Sequence, residues 1–222
     1  MSSNLTDRLL TATCDLVIFD LDGTVFDSHE VMSRAFQAAY FRAVPNAAKA
    51  PVEELRSRQG IPFPEICMEM GWPSELTQYF IEESQILAHE VQVFPQALEL
   101  IKFLLDSAVP LAVLTGKDRL RSTELLRRFG LDTDFSLAVC GDDPFRGKPY
   151  PDGLTHLIQA TGSRVSATYY IGDALNDQLC ADSAGVQFIG VEWPSQPHLL
   201  PQGDGRSIFR DSSSIIERFW KA

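Results

Sequence analysis

Five short apolar runs, each closed by a polar residue or a glycine, constrain this chain more than any other feature. They are Leu16 to Phe19, Leu111 to Leu114, Leu137 to Cys140, Thr168 to Ile171 and Val186 to Val191. Continuous apolar runs of this length suit strands buried on both faces. Helical patterns separate the later runs: Gln96 to Ser107, Leu120 to Phe129, Asp152 to Thr161 and Asp177 to Ala184, with Gly130, Gly162 and Gly185 placed to end three of them. Strand alternating with helix predicts an α/β fold, a doubly wound, mostly parallel Rossmann-like sheet covered on both faces.

The interval after the first run breaks this rhythm. From Ser28 to Val91 helical periodicity continues without a convincing strand, as in Met32, Phe36, Ala39 and Tyr40, and Pro62, Pro64 and Pro73 punctuate its turns. The expected organisation is a core of residues 1–27 and 92–222 with a small all-helical cap, residues 28–91, inserted after the first strand. The segment Glu192 to Gly205 reads as a surface loop, followed by a short strand around Ser207 to Arg210 and a closing helix through Trp220.

Charge and cysteine content narrow the functional classes. With 30 acidic residues against 19 Lys and Arg, net −11, the chain is not built to neutralise nucleic-acid phosphates or to bind an anionic membrane. Small phosphorylated molecules remain compatible, because acids gathered around a divalent cation present a locally positive site. The four cysteines, Cys14, Cys67, Cys140 and Cys180, are widely spaced, which favours free thiols in a reducing compartment. Met1 to Thr13 has no apolar leader segment, and a cytoplasmic location is expected.

Ligands of an open parallel sheet bind beyond the carboxyl ends of its strands, so the residues that follow each apolar run form one set. These are Asp20 and Asp22, then Thr115 and Gly116, then Asp173 with Asp177 one helical turn on, and Lys148 in the loop after the third run. Carboxylates so close would repel one another without a cation, and hard oxygen ligands at this density favour Mg2+. Acids buried directly after an apolar strand carry a desolvation penalty that a purely structural role does not offset.

Phe19-Asp20-Leu21-Asp22-Gly23-Thr24 resembles the first motif of the haloacid dehalogenase-like phosphohydrolases. Leu114-Thr115-Gly116, Gly147-Lys148-Pro149 and Gly172-Asp173-Ala174-Leu175-Asn176-Asp177 look like the second, third and fourth. Each dipeptide is common alone; the four in order, each near a strand end, are specific. The helical insertion is similar to the cap of the subgroup that includes phosphoglycolate phosphatase and β-phosphoglucomutase. Gly60 to Ile66, Met70 to Pro73 and Val91 to Pro95 also resemble, less specifically, the phosphatases associated with aminohydroxybenzoate synthesis, thought to act on phosphorylated aminosugars or sugar nucleotides.

The resemblance implies roles. Asp20 is the nucleophile that forms an aspartyl-phosphate. Asp22 is the general acid and then base, and its backbone carbonyl joins Asp20 and Asp173 at the metal. Thr115, Gly116 and Lys148 bind the phosphoryl oxygens, with Lys148 also paired to Asp20, and Asp177 orients Lys148 or a metal-bound water. Dehalogenases of the superfamily lack the second aspartate, so Asp22 favours an alkoxide leaving group and hence a phosphomonoester.

Other readings stand beside these. Asp177 suits a helix cap, and Lys148 a solvated loop lysine. A phosphomutase would use the same two aspartates. A phospho-accepting receiver shares the strand-end acids but is about half this length. In the cap, Arg58 is a candidate contact to the leaving group, against the alternative that Arg56 and Arg58 pair with Glu53 and Glu54. His29 is equally a substrate contact or a surface residue. Phe26 stands where the family usually has a smaller aliphatic residue and is a candidate for the substrate wall. His89, His156 and His198 show no ligand spacing.

Overall fold

The computed structural model describes residues 14–194, 199–201 and 208–220. The expectations for Met1 to Thr13, for His198 and for most of the late loop lie outside these residues. Strands β1 (Leu16–Phe19), β4 (Leu111–Leu114), β5 (Leu137–Val139), β6 (Thr168–Gly172), β7 (Gln187–Val191) and β8 (Ile208–Phe209) form one sheet in the order β5-β4-β1-β6-β7-β8, every pair parallel. The chain runs outward from β1 through β4 to β5, then returns to the other side of β1 for β6. The order therefore reverses at β1 and β6, where a crevice opens at the carboxyl edge.

The period of two divides β1 between two cores. Val17 and Phe19 pack in a cluster with Val113, Ile171 and Val191, covered by α5 (Pro95–Asp106), α6 (Arg119–Arg128) and α9 (Ser212–Phe219). Leu16 and Ile18 pack on the other face with Ala112, Leu114 and Tyr170, covered by α7 (Asp152–Thr161) and α8 (Leu175–Ala184). Burial on both faces explains why these strands read as unbroken apolar runs.

The helices obey the signals that placed them. Gly162 and Gly185 hold φ of 68° and 72° just beyond α7 and α8, the left-handed conformation that a glycine adopts without strain. Asp118 caps α6 by accepting the Arg121 N–H. Helix α8 begins two residues before the expected Asp177, because Ala174 is extended and ends the preceding loop.

Residues between the first strand and α5 fold as α1 (His29–Ala43), α2 (Val52–Arg56), α3 (Phe63–Met70) and α4 (Leu76–Leu87) around a third cluster of their own. Phe36 lies at its centre against Tyr40, Phe63, Trp72 and Phe80, with ring centroids 5.1–6.4 Å away. The stem of this insertion is a two-stranded antiparallel ladder, β2 (Phe26–Asp27) with β3 (Gln92–Val93). Phe26 is fully buried in the main core beside Phe129, so it does not form a substrate wall. Its larger ring fills the joint between the ladder and α6.

Candidate active site

Asp20 follows β1 and Asp173 follows β6, adjacent strands at the point where the sheet order reverses. Asp20, Asp173 and Asp177 are buried, each offering a carboxylate oxygen within 4.8 Å of the others. Lys148 lies among them at 3 % exposure, its Nζ 3.0 Å from Asp20 Oδ1 and 2.6 Å from Asp177 Oδ1. The Tyr170 hydroxyl, from the middle of β6, donates to Asp177 Oδ1 at 2.8 Å and accepts from Lys148 Nζ at 3.1 Å. Asp177 Oδ2 accepts the Ala174 N–H at 3.0 Å. Asp177 therefore serves both readings at once, bonding the start of α8 with one oxygen and holding Lys148 with the other.

Asp173 is held by Thr24, in the loop after β1, and by His29, at the start of α1. Thr24 Oγ1 donates to its Oδ1 at 2.9 Å, and His29 Nε2 lies 3.0 Å from its Oδ2. Gly23, at φ 79°, leaves the space for both: a Cβ there would overlap Asp173 and His29. His29 is buried at 6 % exposure and directed at the acid cluster; it is neither a surface residue nor part of the pocket wall.

Asp22 is half-buried at the edge of this cluster. Ser28 Oγ donates to its Oδ1 at 2.7 Å, and Lys117 Nζ lies 3.1 Å from its Oδ2. Burial pushes the Asp22 carboxyl up, but Lys117 and the Ser28 hydrogen bond outweigh it and hold the group below the usual carboxylate range. Burial lowers the Lys117 ammonium in turn. For Asp20 the balance is reversed: burial, partly opposed by Lys148 and reinforced by the neighbouring acids, pushes it up to about 8. Asp173 is also raised by burial, against the opposing His29 contact.

The carboxylate oxygens of Asp20, Asp173 and Asp177 crowd one buried place, all within 4.8 Å of one another. Acids that resist ionising beside one another ionise readily when a divalent cation joins them. The donor set is all oxygen, from Asp20 and Asp173, and fits a hard cation of the magnesium type.

A cavity of about 50 Å³ opens beside these groups, lined from the core by Asp20, Asp22, Thr115, Gly116, Lys117 and Arg121. Its far wall comes from the cap: Met32, Leu55, Arg58, Gln59, Gly60, Ile61, Phe63, Ile66 and Phe80. The cap is closed upon the core at Gln59-Gly60. Asn176 Nδ2 donates to the Gln59 carbonyl at 2.8 Å, and a Cβ on Gly60 would stand 3.0 Å from Lys148 Cε. A Cβ on Gly116 would stand 2.6 Å from the Gly60 carbonyl oxygen, so the two loops meet backbone to backbone.

Arg58 lines the cavity but its guanidinium is engaged inside the cap, with the Glu54 carbonyl at 3.1 Å, Ser57 Oγ at 3.1 Å and Glu69 at 3.3 Å. Arg56 pairs with Glu53 at 3.0 Å. Sequence reasoning missed Lys117, Arg121, Thr24, Ser28 and Tyr170. Thr24 stood inside the first motif, and Lys117 stood two residues after Thr115 in the same strand-end loop. His89 and His156 are exposed and do not line this cavity.

A doubly wound core whose strand ends converge on buried acids and a lysine, beneath a helical insertion, is the arrangement of a capped α/β hydrolase. The chain belongs to the haloacid dehalogenase-like hydrolases, whose family model matches residues 17–191. Within that family it is a phosphoric monoester hydrolase in type. It is 30% identical to a phosphoglycolate phosphatase of Neisseria meningitidis over 79% of each chain, and 27% identical to one of Yersinia pestis over 80% of each. A pyrophosphatase of Bacillus pumilus is 28% identical over 82% of this chain and 85% of its own. The fold is shared with a haloacid dehalogenase-like hydrolase of Streptococcus pneumoniae, TM-score 0.76 at 22% identity over 94% and 99% of the chains. A hydrolase from Pseudomonas syringae gives a TM-score of 0.71 at 24% identity over 80% and 84%. No described helix is long and apolar enough to cross a membrane, and the four cysteines are unpaired.

Proposed function

We propose that this chain is a magnesium-dependent phosphatase of small phosphomonoesters that works through an aspartyl-phosphate on Asp20. The observation that carries the reading is Asp20 itself, a buried carboxylate at the strand-order reversal, on the cavity wall and 3.0 Å from the Lys148 ammonium.

In the first step an Asp20 oxygen attacks phosphorus and the substrate oxygen leaves with a proton from Asp22. In the second, water attacks phosphorus, Asp22 takes its proton, and Asp20 is released as carboxylate. Lys148 and the Thr115 hydroxyl hold the phosphoryl oxygens, while Asp177 and Tyr170 fix Lys148. Held by Asp20, Asp173 and the Asp22 carbonyl, Mg2+ would neutralise the charge gathered between the nucleophile and the phosphate dianion. The pairing of Asp22 with Lys117 favours the ionised form that the second step needs. The first step needs Asp22 protonated, so Lys117 and Asp22 separate before the leaving group departs.

Residues 28–91, as the cap, cover the leaving group and select among phosphomonoesters. The free thiols support a reducing, cytoplasmic setting. A panel of phosphomonoesters with Mg2+, including phosphoglycolate, hexose phosphates and aminosugar phosphates, ranked by kcat/KM, tests the reading. Turnover without added bisphosphate separates a phosphatase from a phosphomutase; phosphate release that requires a bisphosphate activator, or that survives excess chelator, contradicts it.

A further inference from the structure

Two cations face the cavity from the core besides the groups assigned to the phosphoryl oxygens. Lys117 and Arg121 are 5 % and 7 % exposed, and both line the wall that also carries Asp22. Among the described residues each has one acidic partner: Lys117 has Asp22 at 3.1 Å, and Arg121 binds Asp118 through Nε. Asp118 is not on the cavity wall. The remaining contacts are weakly polar, Lys117 Nζ to Met32 Sδ at 3.7 Å and the Arg121 guanidinium 5.3 Å from the Phe80 ring centroid.

Arg121 Nη1 is buried and has no hydrogen-bond partner among the described residues. A guanidinium N–H left bare in a buried site costs free energy that a structural role alone does not return. The same two cations also border a second cavity, of about 230 Å³, between the cap and α6, whose other walls include Val31, Met32, Ala88 and Leu125. Lys117, Arg121 and Met32 thus form the partition between the small cavity beside Asp20 and Asp22 and a larger, mainly apolar one.

We propose that Lys117 and Arg121 seat a second anionic group, a carboxylate or a phosphate, carried by the leaving group of the substrate. The inference rests on the phosphatase reading and adds that the selecting charge lies on the core helix α6 and its preceding loop. The cap supplies the apolar wall opposite, through Phe63, Ile66 and Phe80. Arg58 leaves its own Nε unpartnered among the described residues, but both its terminal nitrogens are held within the cap by Glu54, Ser57 and Glu69, so the charge-reading part is assigned to the core pair.

The test compares kcat/KM, with Mg2+, for 2-phosphoglycolate, pyrophosphate and ethyl phosphate, which offer a carboxylate, a phosphate and no second charge. The wild type is expected to favour at least one of the charged substrates over ethyl phosphate by about ten- to a hundredfold, the scale of one charge-assisted hydrogen bond. The preferred substrate tells carboxylate from phosphate. Arg121→Met should erase most of that preference and Arg121→Lys should keep part of it; should Arg121→Met fail to fold, the same ratio is read in Lys117→Gln. Equal kcat/KM of the wild type on all three substrates, or equal losses on all three in the variants, overturns the inference while leaving the phosphatase reading intact. Hydrolysis of no phosphomonoester in the panel overturns the reading and the inference together.

Discussion

Replacing Lys148 by Met removes an ammonium while keeping most of the side chain's volume, and the structure fixes what is left behind. Asp20 and Asp177 lose a cation at 3.0 and 2.6 Å, and Tyr170 loses a donor at 3.1 Å. At an effective dielectric of about 20 the Asp177 contact alone is worth about 6 kcal/mol, and the Asp20 contact adds to it only where Asp20 is ionised. The several kcal/mol needed to desolvate the ammonium offsets part of this, and breaking a buried pair costs about 3–5 kcal/mol. Against a total stability of about 5–15 kcal/mol, this is a large loss. Urea unfolding in excess chelator, followed by circular dichroism, should show it as a lower midpoint, and adding Asp177→Asn should recover part of it by removing the stranded acid. A loss below about 1 kcal/mol, or additive effects of the two substitutions, would refute the reasoning, since groups sharing one network are expected to be coupled.

Further outcomes follow from other parts of the site. The Asp20 carboxyl is raised from 3.8 to about 8, so its neutral form is favoured by folding. Its contribution to stability is full below about pH 4 and is lost as pH rises through about 8. The melting temperature in chelator should therefore fall across this window, and fall less steeply in Asp20→Asn; an identical slope in the two proteins would exclude Asp20 as the source. Asp22→Asn should cost much more kcat/KM with an alkyl phosphate than with p-nitrophenyl phosphate, whose leaving group needs little protonation; equal losses would remove Asp22 as the acid. Gly60→Ala, at φ 86° and 3.0 Å from Lys148, should destabilise by about 1 kcal/mol or more and lower activity, and a fully active, equally stable variant would show that the cap loop does not seat there. Arg58→Ala should change substrate preference less than Arg121→Met, and the opposite order would return charge selection to the cap.

Much of this architecture was legible because burial on two faces leaves an unmistakable pattern. Leu16 to Phe19 could only be an interior strand, and acids placed directly after it at Asp20 and Asp22 needed a partner to offset their desolvation. Lys148 was legible through its setting between Gly147 and Pro149. Lys117 was not, because a lysine beginning a loop looks the same in sequence whether water or Asp22 holds it. Tyr170 looks in the sequence like one more apolar strand residue, although a buried phenol needs a partner for its hydroxyl. His29 was ambiguous at the start of a helix whose orientation toward Asp173 depends on Gly23. The ladder of Phe26–Asp27 with Gln92–Val93 was too short to leave a period, and the identity of Phe26 alone could not tell a core filler from a substrate wall.

In the proposed reaction phosphate passes through a covalent bond to one carboxylate. Enzyme mixed with a turning-over phosphomonoester and Mg2+ is quenched in acid and reduced with borohydride, which converts an acyl phosphate to an alcohol, and the peptides are read by mass spectrometry. Homoserine is expected in place of Asp20, absent in chelator and absent in Asp20→Asn, which should also be inactive. Reduction at another aspartate, or sustained turnover by Asp20→Asn, would contradict it.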